Sequence, residues 1–104
     1  MSNKRVELML QMLKDIPKDC FLNYAIALEY AKEGENEKAI SIFEMLITEE
    51  VNYLATYYQL GKLYEVKGET EKALDVYRKG IEIAKEKKDI KTIGELEEAL
   101  MILD

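Results

Sequence analysis

The one residue with strong nucleophilic chemistry of its own is Cys20. It stands where a helical pattern begins, and a helix start can favour a thiolate. A reactive thiolate also needs a base, and the chain has no histidine. That absence excludes a His-based catalytic triad, a histidine-ligated zinc and a histidine general base. Because Cys20 is the only cysteine, neither an intramolecular disulfide nor a thiolate metal cluster can form. Calcium or magnesium would require an Asp-rich loop with ligand spacing, and the sequence contains none. The remaining candidates are Glu and Lys of the kind that sit on solvated helix faces, not paired carboxylates in a dry pocket. Cys20 therefore reads as an inert small residue, and the chain as a non-catalytic protein without cofactor or metal.

Charge narrows the partners further. Fifteen basic residues against 21 acidic ones leave a net charge of −6, which repels nucleic-acid phosphates. No basic cluster reverses that locally. The runs Lys85–Asp89 and Glu95-Glu97-Glu98 read as solvated helix faces. The basic start Met1-Ser2-Asn3-Lys4-Arg5 is followed by Val6–Leu13, which Glu7 and Gln11 interrupt, so a secretory signal is not expected. No apolar run approaches the length of a membrane span. A reduced, cytoplasmic setting is the expectation.

What positions these residues is a repeat. Sliding the sequence by 34 places pairs Tyr24 with Tyr58, Tyr30 with Tyr64, Gly34 with Gly68 and Glu35 with Glu69. The same shift pairs Glu37 with Glu71, Lys38 with Lys72, Ala39 with Ala73 and Ile47 with Ile81. These are eight identities in 24 positions, where ordinary residue usage gives roughly one or two. Near-matches of one kind lie between them: Ile26/Leu60, Ala27/Gly61, Ile40/Leu74, Ile42/Val76 and Phe43/Tyr77. A period of this length marks stacked supersecondary units.

Each unit reads as a helical hairpin. A first helix over 3–15 carries the stripe Val6, Met9, Leu10, Leu13 and ends before Pro17. Asp19 caps a second helix over 20–33, whose stripe is Ile26, Ala27 and Tyr30 and which Gly34 stops. Asn36 is expected to cap a third helix over 37–49 that buries Ala39, Ile40, Phe43, Leu46 and Ile47. A fourth helix over 53–67 turns Tyr57, Leu60, Gly61 and Tyr64 inward. Gly68 and Thr70 repeat the stop and the cap, and a fifth helix over 71–87 follows. After a turn near Lys88-Asp89, a sixth helix over 90–103 places Ile90, Ile93, Leu96, Leu100 and Leu103 on one side. Met101 and Ile102 lie off that stripe and hint at a second apolar face. No stretch alternates like a strand, so the fold is all-α. The small pairs Ala27/Gly61 and Ala39/Ala73 mark close helix crossings, flanked by the large Tyr30/Tyr64 and Phe43/Tyr77. A hairpin that cannot bury its apolar surface alone stacks on its neighbour.

This pattern resembles the tetratricopeptide repeat, whose period is 34 and whose motif runs large, Leu-Gly, large, Ala, aromatic, Ala, Pro. The second repeat carries it with Tyr57, Leu60-Gly61, Tyr64, Ala73 and Tyr77. The first carries it with Ile26-Ala27, Tyr30, Ala39 and Phe43, with Asn23 in place of the first large residue. Counting back, Met9 falls at the aromatic place and Pro17 at the closing proline, so the first helix resembles the second half of a repeat. Gly94, 33 residues after Gly61, makes the last helix resemble the first half of another. The departures are Gly80, Val51 and Lys85, which are expected to weaken helix ends. The resemblance implies one domain over 1–104: a helix at 1–17, repeats at 20–52 and 54–87, and a capping helix at 90–103. It implies about six helices stacked into a short right-handed superhelix.

The resemblance also implies a function. The first helix of each hairpin would line a concave groove that receives a protein segment or peptide. Groove residues would be Phe21, Tyr24 and Leu28, then Ala55, Tyr58, Lys62 and Glu65, and on the last helix Lys91, Glu95 and Glu98. Tyr24 and Tyr58 are expected to be exposed, and Tyr30 and Tyr64 buried. Some members bind acidic chaperone tails through Lys and Asn at places taken here by Tyr24 and Leu28, so that ligand is not implied. The alternative, from a different class, is a structural subunit that self-associates, for example as a homodimer, through the groove or the terminal helices.

Overall fold

The computed structural model describes residues 3–104, and among them lie six α-helices and no strand. They are α1 (Lys4–Asp15), α2 (Cys20–Lys32), α3 (Asn36–Glu49), α4 (Ala55–Val66), α5 (Thr70–Glu86) and α6 (Ile90–Leu103). The fold is an all-α helical repeat, as the period predicts. The helices gather into two compact units, one ending at Glu50 and the other spanning Val51–Asp104.

In the first unit, Asn3 caps α1 by accepting from the backbone N–H groups of Arg5 and Val6, at 2.9 and 3.2 Å. Asp19 caps α2 through the N–H of Leu22 at 2.7 Å. Asn23 is buried, and its amide donates to the carbonyls of Pro17 (3.1 Å) and Asp19 (2.9 Å), which fixes the loop between α1 and α2. Helices α2 and α3 then pack along their length. Ile26, Ala27, Ala39 and Phe43 have no solvent exposure. Burying a side chain such as Phe43 contributes about 1.5–3 kcal/mol. Of the stripe predicted on α1, only Val6 is buried; Met9 and Leu13 are half-buried and Leu10 is exposed.

The second unit repeats the plan and adds α6 against α5 and α4. Its centre is Tyr57, Leu60, Ala73, Tyr77, Ala84 and Leu96, all without exposure. Gly61 lets α5 approach α4, because a Cβ there would lie 2.2 Å from a Tyr77 ring carbon. Gly80 is not a weakness. A Cβ at that position would stand 2.7 Å from Tyr57 Cβ and 2.8 Å from Leu96 Cδ1, so the missing side chain admits both α4 and α6. On α6, Leu96 is buried and Ile93, Leu100 and Leu103 are half-buried, whereas Ile90 is exposed because it lies around the helix from them.

The turns explain much of the repeat. Gly34 and Gly68 have φ of 79° and 78°. In both, the following residue donates back across the helix end, Glu35 to Tyr30 (2.8 Å) and Glu69 to Tyr64 (2.9 Å), in a Schellman closure. The third turn closes the same way, from Asp89 to Ala84 at 3.0 Å, but its left-handed residue is Lys88 with φ 59°. These closures bring the next helix in one residue early. Asn36 and Thr70 therefore sit inside their helices and do not cap them; Glu35 and Glu69 hold the cap positions without a side-chain cap bond. Glu69 instead pairs with Lys67 (3.3 Å) and Lys72 (3.1 Å). Lys38 lies 5.3 Å over the Tyr30 ring and Lys72 lies 5.7 Å over the Tyr64 ring, so two of the paired identities form one repeated cation–π contact.

Candidate functional site

On the second unit, α4 carries Ala55, Tyr58, Lys62 and Glu65 at spacings of three and four, which places them along one face. Ala55 is exposed, and Tyr58 is 36% exposed. The Lys62 ammonium lies 5.3 Å over the Tyr58 ring and 3.7 Å from the Glu65 carboxylate. Glu65 also accepts a hydrogen bond from the Tyr77 hydroxyl. Burial, and next that bond to Glu65, push the Tyr77 phenol far above the ordinary tyrosine range. Glu65 is thus tied to the core by one oxygen while it orients Lys62, and Tyr58 and Lys62 are the parts of the row that face outward. Lys91, Glu95 and Glu98 stand exposed along α6.

On the first unit, Phe21 is 68% exposed at the second residue of α2. Tyr24 is half-buried, with its ring 5.7 Å from that of Phe43, so part of it belongs to the packing of the hairpin. Leu28 is half-buried as well. Tyr64 is buried as expected, but Tyr30 is only half-buried, because its ring lies at the hairpin surface beneath Lys38.

Cys20 is half-buried at the start of α2. Burial, followed by the negative charges of Glu50 and Asp19, raises its pKa, so burial and the acidic neighbours together outweigh any help from the helix start. Among the described residues no group of three or more His, Cys, Asp or Glu side chains could hold a metal ion. A cleft of about 100 Å³ beside Pro17, Asn23 and Met45 is smaller than the usual ~300–1,000 Å³ of a small-molecule site. A wider depression of about 390 Å³ at Tyr30, Lys38 and Ile42 lies open on the surface. No helix of the described residues is long and apolar enough to cross a membrane.

Sequence reasoning missed one feature. Leu8 and Met12, one turn apart on α1, are both exposed, and so is Ile16 just beyond the end of that helix.

Comparison with known proteins places this geometry. The family model described as tetratricopeptide repeat matches residues 54–87, which span α4 and α5. No curated protein matches the chain. Among solved structures, a tetratricopeptide repeat domain protein from Salinibacter ruber is similar at 40% identity. Its solution structure aligns with a TM-score of 0.81, over 85% of this chain and 89% of that one. Its crystal structure aligns with a TM-score of 0.78, over 82% and 96%. A protein from Bordetella parapertussis shares the fold at 20% identity, with a TM-score of 0.84 over 99% of this chain and 89% of its own. With the repeated hairpins, the glycine-mediated crossing at Gly61 and these relatives together, the chain belongs to the tetratricopeptide repeat family.

Proposed function

We propose that the chain is a non-catalytic interaction module that holds a protein segment against the first helices of its hairpins. Tetratricopeptide repeats generally mediate protein–protein interaction and are generally non-catalytic. The observation that supports the finer reading is the Tyr58–Lys62 pair, an aromatic face and a cation held together on the outward side of α4. An exposed cation–π contact is worth about 0.5–1 kcal/mol, enough to bias both side chains toward one arrangement before a partner arrives. Such a pair suits a segment with an apolar or aromatic side chain to lay on Tyr58 and a carboxylate to meet Lys62. Ala55, one turn earlier, leaves the partner's backbone room. On the first unit, Phe21 and Leu28 offer apolar contact of the same kind. Lys91, Glu95 and Glu98 would supply polar contacts along α6.

Selection of displayed peptides on the immobilised chain, followed by titration of the best peptide, tests this reading. Tyr58→Ala should weaken binding by about thirtyfold, the effect of a hot-spot residue worth roughly 2 kcal/mol. Its melting temperature should stay near the parent's. A peptide that binds Tyr58→Ala as well as the parent would remove α4 from the recognition surface.

A further inference from the structure

At one end of the hairpin the two repeats differ in kind. In the second, Tyr57, Ile83 and Ala84 are buried there. The positions 34 residues earlier hold Asn23, Glu49 and Glu50. Three core positions are thus polar together in the first unit, and a cleft of about 100 Å³ opens beside them. Pro17, Met45 and Leu46 give it apolar walls. It is too small for an ordinary small-molecule ligand and suits the tip of one long side chain.

The polar groups on the cleft are mostly acceptors. Asn23 is only 6% exposed, and its amide nitrogen donates to the carbonyls of both Pro17 and Asp19. Two carbonyl partners fix which end of the amide is nitrogen, and the oxygen accepts no hydrogen bond among the described residues. Glu49 ends α3, Glu50 is its C-cap, and the last turn holds no basic residue. Two carboxylates therefore stand at the negative end of the helix dipole, a cost that a cation would relieve. Both are exposed, and neither is in an ion pair among the described residues. Lys18 is the one basic side chain on the cleft; it is exposed on the loop and pairs with neither carboxylate.

Apolar walls, one buried neutral acceptor and two carboxylates match a side chain with a methylene stem and a cationic head. A guanidinium is planar, carries five donors and is weakly hydrated, so it loses less than an ammonium on entering a partly dry cleft. We propose that the cleft receives an arginine side chain from a basic segment of a partner protein, its guanidinium between the Asn23 carbonyl oxygen and the carboxylates of Glu49 and Glu50. Residues 1–50 hold ten acidic and six basic side chains, which favours the approach of such a segment. The site shares no residue with the Tyr58–Lys62 row and stands or falls independently of peptide binding there.

NMR titration of the labelled full chain tests it, with a short blocked peptide of Gly and Ser around one arginine and its lysine and citrulline counterparts. The arginine peptide should shift the Asn23 side-chain amide and the backbone amides of Lys18 and Leu46 to Glu50, saturating in the millimolar range. Citrulline keeps the shape without the charge and should bind about tenfold more weakly or worse, with lysine in between. Glu49→Gln/Glu50→Gln, at exposed positions, should melt no lower than the parent and bind about tenfold more weakly. Glu82→Gln/Glu86→Gln makes the same charge change on exposed positions of α5 and should bind like the parent. Lys18→Ala should bind at least as tightly as the parent, since it removes a like charge. Shifts that do not saturate or that centre away from the cleft would overturn the proposal. So would lysine or citrulline binding as well as arginine, an equal loss in the two double variants, or weaker binding by Lys18→Ala.

Discussion

Asn23 and Tyr57 stand 34 residues apart and make the same bond with different chemistry. Each donates to the carbonyl six residues upstream, Asn23 to Pro17 at 3.1 Å and Tyr57 to Val51 at 2.6 Å. Both bonds close the loop that enters the first helix of a hairpin. Removing the donor should therefore cost stability in either repeat. Tyr57→Phe is expected to lose about 1 kcal/mol, the net worth of a typical hydrogen bond. Asn23→Ala should lose about 1–3 kcal/mol, because it removes two side-chain hydrogen bonds, to the Pro17 and Asp19 carbonyls, from a part-buried loop. Urea unfolding of both variants checks this; midpoints equal to the parent's would show that the loops are held by other contacts.

That pair also shows what could and could not be read beforehand. Tyr30/Tyr64, Lys38/Lys72 and Gly34/Gly68 were legible because both hairpins solve one packing problem with the same side chains. Asn23 looked like a departure from the pattern, because identity comparison sees residue types and not the bond they make. Gly80 looked like a weak point for the same reason: only the arrival of Tyr57 and Leu96 from two other helices explains it. The cap positions slipped by one residue because a Schellman closure, not a capping side chain, sets where α3 and α5 begin. On the candidate surface, Tyr58 and Lys62 followed from the register. The core-facing role of Glu65 did not, since it depends on the Tyr77 hydroxyl reaching across from α5.

Gly61→Ala and Gly80→Ala should both destabilise, against the ~1 kcal/mol that Gly→Ala gains in an open helix. The added methyl would lie 2.2 Å from the Tyr77 ring in one case and 2.7 Å from Tyr57 Cβ in the other. Tyr77 is fully buried and bonded to Glu65, so it has little freedom to give way. A net loss of about 1–3 kcal/mol is expected from overpacking. Calorimetric melts at or above the parent's would mean the crossings are looser than described.

Lys88→Gly should act in the other direction. Lys88 holds φ 59° at the turn between α5 and α6, where Gly34 and Gly68 serve the other two turns. A left-handed non-glycine residue costs roughly 1–2 kcal/mol, partly offset by the greater freedom glycine has in the unfolded chain. A gain of about 0.5–1 kcal/mol in denaturant unfolding is expected. A loss would show that the Lys88 side chain makes a compensating contact.

Stability should fall in alkali. Burial raises the phenol pKa of Tyr57, and burial with the Glu65 bond raises that of Tyr77 further. In the unfolded chain both would ionise near the ordinary value of about 10. Above that pH the unfolded state gives up protons that the folded state keeps, so unfolding becomes easier as pH rises. Below it, the contribution is fully present. Urea midpoints measured from pH 8 to pH 11 should hold steady and then drop, and Tyr77→Phe should flatten the drop. An unchanged slope in that variant would remove Tyr77 as its source.

The location of partner binding is the central claim, and amide chemical-shift mapping with a selected peptide tests it most directly. Saturating the labelled chain should shift the amides of α4 around Ala55, Tyr58 and Lys62 most, with a second set on α2 from Phe21 to Leu28. The amides of α3 and of the middle of α5 should move little. Shifts concentrated on α3 and α5, with α4 unmoved, would contradict the assignment of recognition to the first helices.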